Sequence, residues 1–203
     1  MYPLDKRKGL ALTLSLFFIA TYIVLALLSR NIISISYHYL MLFGQVNYFI
    51  LKKRWYWQLL TSIFVHVNLI HLFFNSFFMY IVGFSVERKI GSKDMFLVFL
   101  GSALIGNFFS LIMGPIYLVT AGASGGILGL AAFDIIYAKV LSSSSLMPAV
   151  STLIVLFVMN SFLPGVNVLG HLGGIVGGAL IGYLYGRNRA KRIIRYGIGY
   201  FYN

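Results

Sequence analysis

Four residues of this sequence unite reactive side chains with a position that could use them: His71, Asn75, Ser124 and His171. A serine hydroxyl is a weak nucleophile until a neighbouring base takes its proton, and neutral imidazole can do this near pH 7. Ser124, in Gly122-Ala123-Ser124-Gly125-Gly126, is the candidate nucleophile, and His171, in Gly170-His171-Leu172-Gly173-Gly174, the candidate base. A tetrahedral oxyanion needs donors already aimed at it. At a helix start Ser124 would offer unpaired backbone N–H groups with the positive end of the helix dipole behind them. The Asn75 amide and an imidazole N–H of His71, paired at i, i+4 on one helix face, could reach in as well. An orienting carboxylate is missing. The acids are Asp5, Glu87, Asp94 and Asp134, all expected on the opposite side of the membrane, and Asp134 is ten residues from Ser124, about 15 Å along a helix. The expected machinery is a dyad rather than a Ser-His-Asp triad.

Taken singly, each group has a plainer reading. Gly-x-Ser-Gly is also a helix-packing motif, Asn75 could be interhelical glue, and His171 could be an intramembrane histidine bonded to a carbonyl. His66, at the border of an apolar run, could be solvated or structural. None of these readings predicts that all the groups fall in one layer, and that layer depends on the elements that carry them.

Of the 203 residues, 60% are hydrophobic and 10% charged, with a mean hydropathy of +0.89. Such a chain belongs mostly in lipid. At roughly 20 residues per crossing, six helices use up the length, at about 9–29, 67–86, 94–113, 124–141, 147–163 and 169–186. The expectation is an all-α, polytopic six-transmembrane-helix bundle, a single membrane domain over 1–203 with its core at about 55–186 and a basic tail at 187–203. Arg30 to His66 is rich in aromatic residues, among them Tyr37, Tyr39, Phe43, Tyr48, Phe49, Trp55, Tyr56 and Trp57, so this first loop is expected in the outer interface.

The net charge of +12 does not point to nucleic acid, because the basic residues border the apolar runs as topology signals do. With the N-terminus inside, the cytoplasmic set is Lys6, Arg7, Lys8, Arg88, Lys89, Lys93, Lys139, Arg187, Arg189, Lys191, Arg192 and Arg195, twelve of the 16 Lys and Arg. A prokaryotic cell membrane with both termini cytoplasmic is expected. Spans two, four and six then descend from the outer side, which puts His71, Asn75, Ser124 and His171 at similar depth near its outer face. Gly174-x-x-x-Gly178 on span six, with Gly173 and Gly177 in a second register, would let that helix meet the glycines of span four closely. No cysteine is present, which excludes disulfides, thiol catalysis and Cys-ligated zinc. No cofactor or metal is expected.

These residues resemble the rhomboid family of intramembrane proteases. The match covers about 55–186: Trp57-Gln58-Leu59-Leu60-Thr61-Ser62 leading into His66, His71-x-x-x-Asn75, Gly83 with Glu87-Arg88, Gly122-Ala123-Ser124-Gly125, and Gly170-His171 with Gly174-x-x-x-Gly178. The resemblance implies a Ser124–His171 dyad, an oxyanion site near His71 and Asn75, and cleavage of transmembrane-helix protein substrates within the lipid bilayer. It also implies that about Leu146 to Leu163, with the loop Pro164 to Leu169, gates substrate entry. Two positions depart from the family pattern. Gln58 stands where Arg is common, and Leu128 stands where an aromatic often packs on the catalytic histidine. Two other functions compete, a catalytically silent rhomboid-like binder of transmembrane helices and a channel or small transporter that uses the polar layer as an ion site. Asp134, in span four, is expected to snorkel to the interface or pair with Lys139.

Overall fold

In a computed structural model of the chain, the described residues are 9–142, 147, 150, 151, 153–155, 157 and 167–196. Five helices among them are long and apolar enough to cross a membrane. The first is α1 (Leu10–Ser29). A loop follows with three short helices, α2 (Tyr37–Phe43), α3 (Asn47–Lys53) and α4 (Gln58–Thr61), and a two-residue strand β1 (Gln45–Val46). The second span is continuous over Leu69–Ile90: α5 (Leu69–Phe78), a π-helical stretch (Met79–Gly83) and α6 (Phe84–Ile90). Then come α7 (Ser92–Met113), strand β2 (Val119–Thr120), α8 (Ser124–Leu141) and α9 (Val168–Tyr196). The expected spans at 9–29, 67–86, 94–113, 124–141 and 169–186 each have their helix. α9 runs about ten residues beyond expectation, through the basic segment. The expected span at 147–163 falls largely outside the described residues, as does the region expected to gate entry.

α8 is the central helix. Of its apolar window 61% is buried, against 33–39% in the other four. The outer helices turn large apolar side chains outward, Leu27, Ile112 and Val176 among them, as surfaces solvated by lipid must. What lets α7, α8 and α9 pack so closely is glycine on two faces of α9. A Cβ on Gly174 or Gly178 would collide with the carbonyl oxygens of Gly125 and Gly129 on α8. On the other face, a Cβ on Gly173 would come within 2.9 Å of the Gly106 Cα on α7, and one on Gly177 within 2.9 Å of Ile105 Cδ1. Both registers read from the sequence are therefore used, one against each neighbour.

The first loop is folded onto the bundle. β1 pairs antiparallel with β2, Gln45 opposite Thr120 and Val46 opposite Val119. Gln58, fully buried, accepts from Val46 N–H at 3.0 Å and donates to Met41 O at 2.7 Å. Its neutral amide thus supplies both the donor and the acceptor that pin β1 and the end of α2. Tyr37, Tyr56 and Trp57 stay exposed, and Trp55 and Trp57 stack at 5.1 Å, which leaves the amphipathic rings where an interface would receive them.

At the end of the bundle away from Ser124, three of the four acidic residues tie helices together. Glu87 on α6, fully buried, accepts from the N–H groups of Gly9, Leu10 and Ala11 at 3.0, 2.9 and 3.1 Å, and from Ser92 Oγ at 2.6 Å. It thus caps α1 from another helix and satisfies the orphan donors of its first turn. Asp94 accepts from Tyr185 Oη at 2.6 Å, joining α7 to α9. Asp134 on α8 pairs with Lys89 on α6 at 2.6 and 2.7 Å. The expected partner was Lys139; at i+5 on an α-helix it projects about 140° around the axis from Asp134 and faces elsewhere.

Candidate active site

Ser124 is the first residue of α8 and His171 the fourth of α9. Both are buried, and Ser124 Oγ lies 2.6 Å from His171 Nε2. The close packing of α8 on α9 makes this contact possible, since the glycine rows run from beside the pair toward the far end. A hydrogen bond of this length is what general-base activation of a serine requires, provided Nε2 is the unprotonated ring nitrogen.

The chain enters α8 by a fixed route. From β2 it passes to Gly122, whose N–H donates to Ser62 O at 2.8 Å and whose φ of +132° suits glycine alone. A Cβ there would sit 2.6 Å from His71 Cε1 and 2.8 Å from its Nε2. The His71 ring therefore lies against the backbone that leads into Ser124. Asn68 caps α5 by accepting from His71 N–H at 2.8 Å. Asn75, fully buried one turn further along, donates its amide to His71 O at 2.8 Å. His66 is fully buried as well, its ring 5.2 Å from Phe18 and edge-on to His71 at 5.4 Å, so it is enclosed rather than solvated.

The aromatic absent at Leu128 is supplied from elsewhere. The Phe157 ring packs edge-on to His171 at 6.2 Å between centroids. Leu128 itself is buried and shares an apolar cluster with Phe157, Phe78 and Ile175. The sequence spacing around the serine could not reveal this, because residue 157 lies on a different segment.

Ser124 and His171 open onto a cavity of about 30 Å³, space for one or two water molecules. His71 lines it, with Ser62, Asn107, Thr120 and Asn167, while Asn75 does not border it. Asn107 donates to Leu59 O at 2.8 Å and to Ser62 Oγ at 3.1 Å. Asn107 and Asn167 were not among the residues singled out from the sequence. Their signal in the sequence is a carboxamide beside or within an apolar run, Asn107 inside α7 and Asn167 just before α9.

A family model for the rhomboid domain matches residues 53–188. YdcA of Bacillus subtilis, a candidate rhomboid protease, is 32% identical over 141 residues, 68% of this chain and 71% of that protein. The rhomboid protease GluP of the same species is 29% identical over 172 residues, 82% of this chain but 33% of GluP. The rhomboid protease AarA of Providencia stuartii is 27% identical over 204 residues, 87% of this chain and 72% of AarA. Such kinship and the five apolar helices make this an integral, multi-pass membrane protein.

Proposed function

Because this chain belongs to the rhomboid family, we propose that it is an intramembrane serine endopeptidase that cuts transmembrane segments of other membrane proteins near their extracytoplasmic ends. The observation that carries the reading is the 2.6 Å contact between Ser124 Oγ and His171 Nε2 at the wall of a polar cavity. As Ser124 Oγ attacks the scissile carbonyl carbon, its proton passes to His171 Nε2. The carbonyl oxygen gains negative charge and is met by the Ser124 N–H at the α8 N-terminus and by the His71 ring beside Gly122. Asn75, its amide nitrogen engaged at His71 O, joins these donors on rotating its side chain. Collapse of the intermediate breaks the C–N bond, and His171 returns the proton to the leaving amine. Water, activated by the same imidazole, then hydrolyses the acyl-enzyme.

A substrate must first present an extended backbone, since each carbonyl of a continuous helix is hidden in a hydrogen bond. Helix-breaking residues near the cut site serve that need. The distribution of Lys and Arg supports cytoplasmic termini and a site facing the outer half of the membrane, and the rhomboid match over residues 53–188 supports a core at about 55–186. The test is to incubate wild-type, Ser124→Ala and His171→Ala protein in liposomes with a panel of single-span substrates and map products by mass spectrometry. Cutting near the outer end by the wild type alone is expected. Cutting by either variant would remove the dyad assignment.

A further inference from the structure

The helices that carry the dyad are separate in sequence, yet their starts are joined by a chain of hydrogen bonds from half-buried Asn167 through buried Ser110, Asn47 and Gln45. On the base side, His171 N–H donates to Asn167 O at 3.1 Å, and Gly170 N–H donates to Asn167 Oδ1 at 3.0 Å. Asn167 thus caps α9 with both its main chain and its side chain. Its Nδ2 then donates to Ser110 Oγ on α7 at 2.5 Å. Ser110 O accepts from Asn47 Nδ2 at 3.0 Å, and Asn47 Oδ1 accepts from Gln45 Nε2 at 2.9 Å. Ser110, Asn47 and Gln45 are all essentially inaccessible. Gln45 belongs to β1, which pairs with β2, and β2 leads through Gly122 into Ser124. The ring closes at the Ser124–His171 contact.

We infer that Asn167 is a positioning residue. Through Ser110 and Asn47 it ties the start of the His171 helix to the strand pair that carries Ser124, so the first loop helps hold the dyad at bonding distance. This rests on the protease reading above. Proton transfer is steep in geometry: an ångström of misplacement can cost about 100-fold in rate. Buried amides in a polar network also act as a unit, so cutting one link disturbs the rest.

A plain helix cap would do less, and one substitution separates the two roles. Serine also caps helices well, but its shorter side chain cannot bridge to Ser110. Asn167→Ser therefore keeps a cap and removes the tie, Ser110→Ala removes the tie from the other side, and Asn167→Asp restores an acceptor to which the Ser110 hydroxyl can donate. The readout is the rate at which a fluorophosphonate labels Ser124 in detergent, well below the thermal transition, with that transition measured alongside. N167S and S110A should each slow labelling by ~10-fold or more with the transition shifted by only a few degrees. The double variant should be no slower than either single one, and N167D should recover most of the rate. Wild-type labelling in N167S, or losses that multiply in the double variant, would overturn the inference while leaving the dyad intact. If the wild type itself resists the probe as Ser124→Ala does, the protease reading and the inference both fail.

Discussion

Gly122 shows how narrowly a single position can be fixed. It holds a φ of +132°, and its missing side chain is the space occupied by the His71 ring. Gly122→Ala should therefore push His71 from the cavity wall and strain the entry to α8, lowering cleavage by ~100-fold or more, the loss of one oxyanion donor at its smaller end. Initial rates on a single-span substrate check this. Gln58 makes the complementary case for polarity. Gln58→Ala strands the Val46 N–H and the Met41 carbonyl in the interior, at about 1–3 kcal/mol for each group left unpaired, and thermal unfolding in detergent should fall measurably. At this scale the sequence was informative where the residue type is costly in lipid. Serine and histidine at one depth were legible, as were the glycines around them. The partner of Asp134 was not, because helix geometry turns Lys139 away and Lys89 arrives from another span. Nor could spacing disclose that Phe157 packs on His171.

Among the elements, the glycine faces of α9 decide whether the reacting groups meet. A methyl at Gly178 would strike the Gly129 carbonyl, so Gly178→Ala must separate α8 from α9 and lengthen the Ser124–His171 contact. Cleavage should drop more than ~10-fold, whereas Gly101→Ala on α7, where the new methyl meets Ile181 Cδ1 at an ordinary 3.5 Å, should leave activity unchanged. Parallel assays of the two proteins at matched folding yield decide it. The spans themselves could be read from apolar runs because twenty-residue hydrophobic segments have few other fates. The interior of the first loop could not. Its helices are four to seven residues long, and the β1–β2 pair joins residues some 75 positions apart through two residues on each side. Neither leaves a periodicity in the sequence; both are held by the side chains of Gln45 and Asn47, which reach to carbonyls of α7, and by Gln58, which binds the Val46 N–H.

Among the described residues, the three acidic side chains are concentrated at one end of the bundle and the reacting groups at the other. Glu87→Gln keeps the shape but replaces a carboxylate that receives three backbone N–H groups and a hydroxyl; charge-assisted bonds of this kind contribute about 1.5–3 kcal/mol each. A clearly lower unfolding temperature is expected, with α1 released first in limited proteolysis. Asp134→Asn breaks a half-exposed pair worth about 1 kcal/mol or less, so it should cleave normally and melt slightly earlier. Lost cleavage in a normally folded Asp134→Asn protein would contradict this purely structural role. Among the described residues, the three ties at Glu87, Asp94 and Asp134 link α1, α6, α7, α8 and α9 at one end, while at the other the strand pair and the chain through Asn167 join the elements that carry Ser124 and His171. The bundle is thus laced at both ends, so that a shift of α8 against α9 must break polar ties at one end or the other as well as the glycine contacts between them, and the Ser124–His171 distance is guarded from either side.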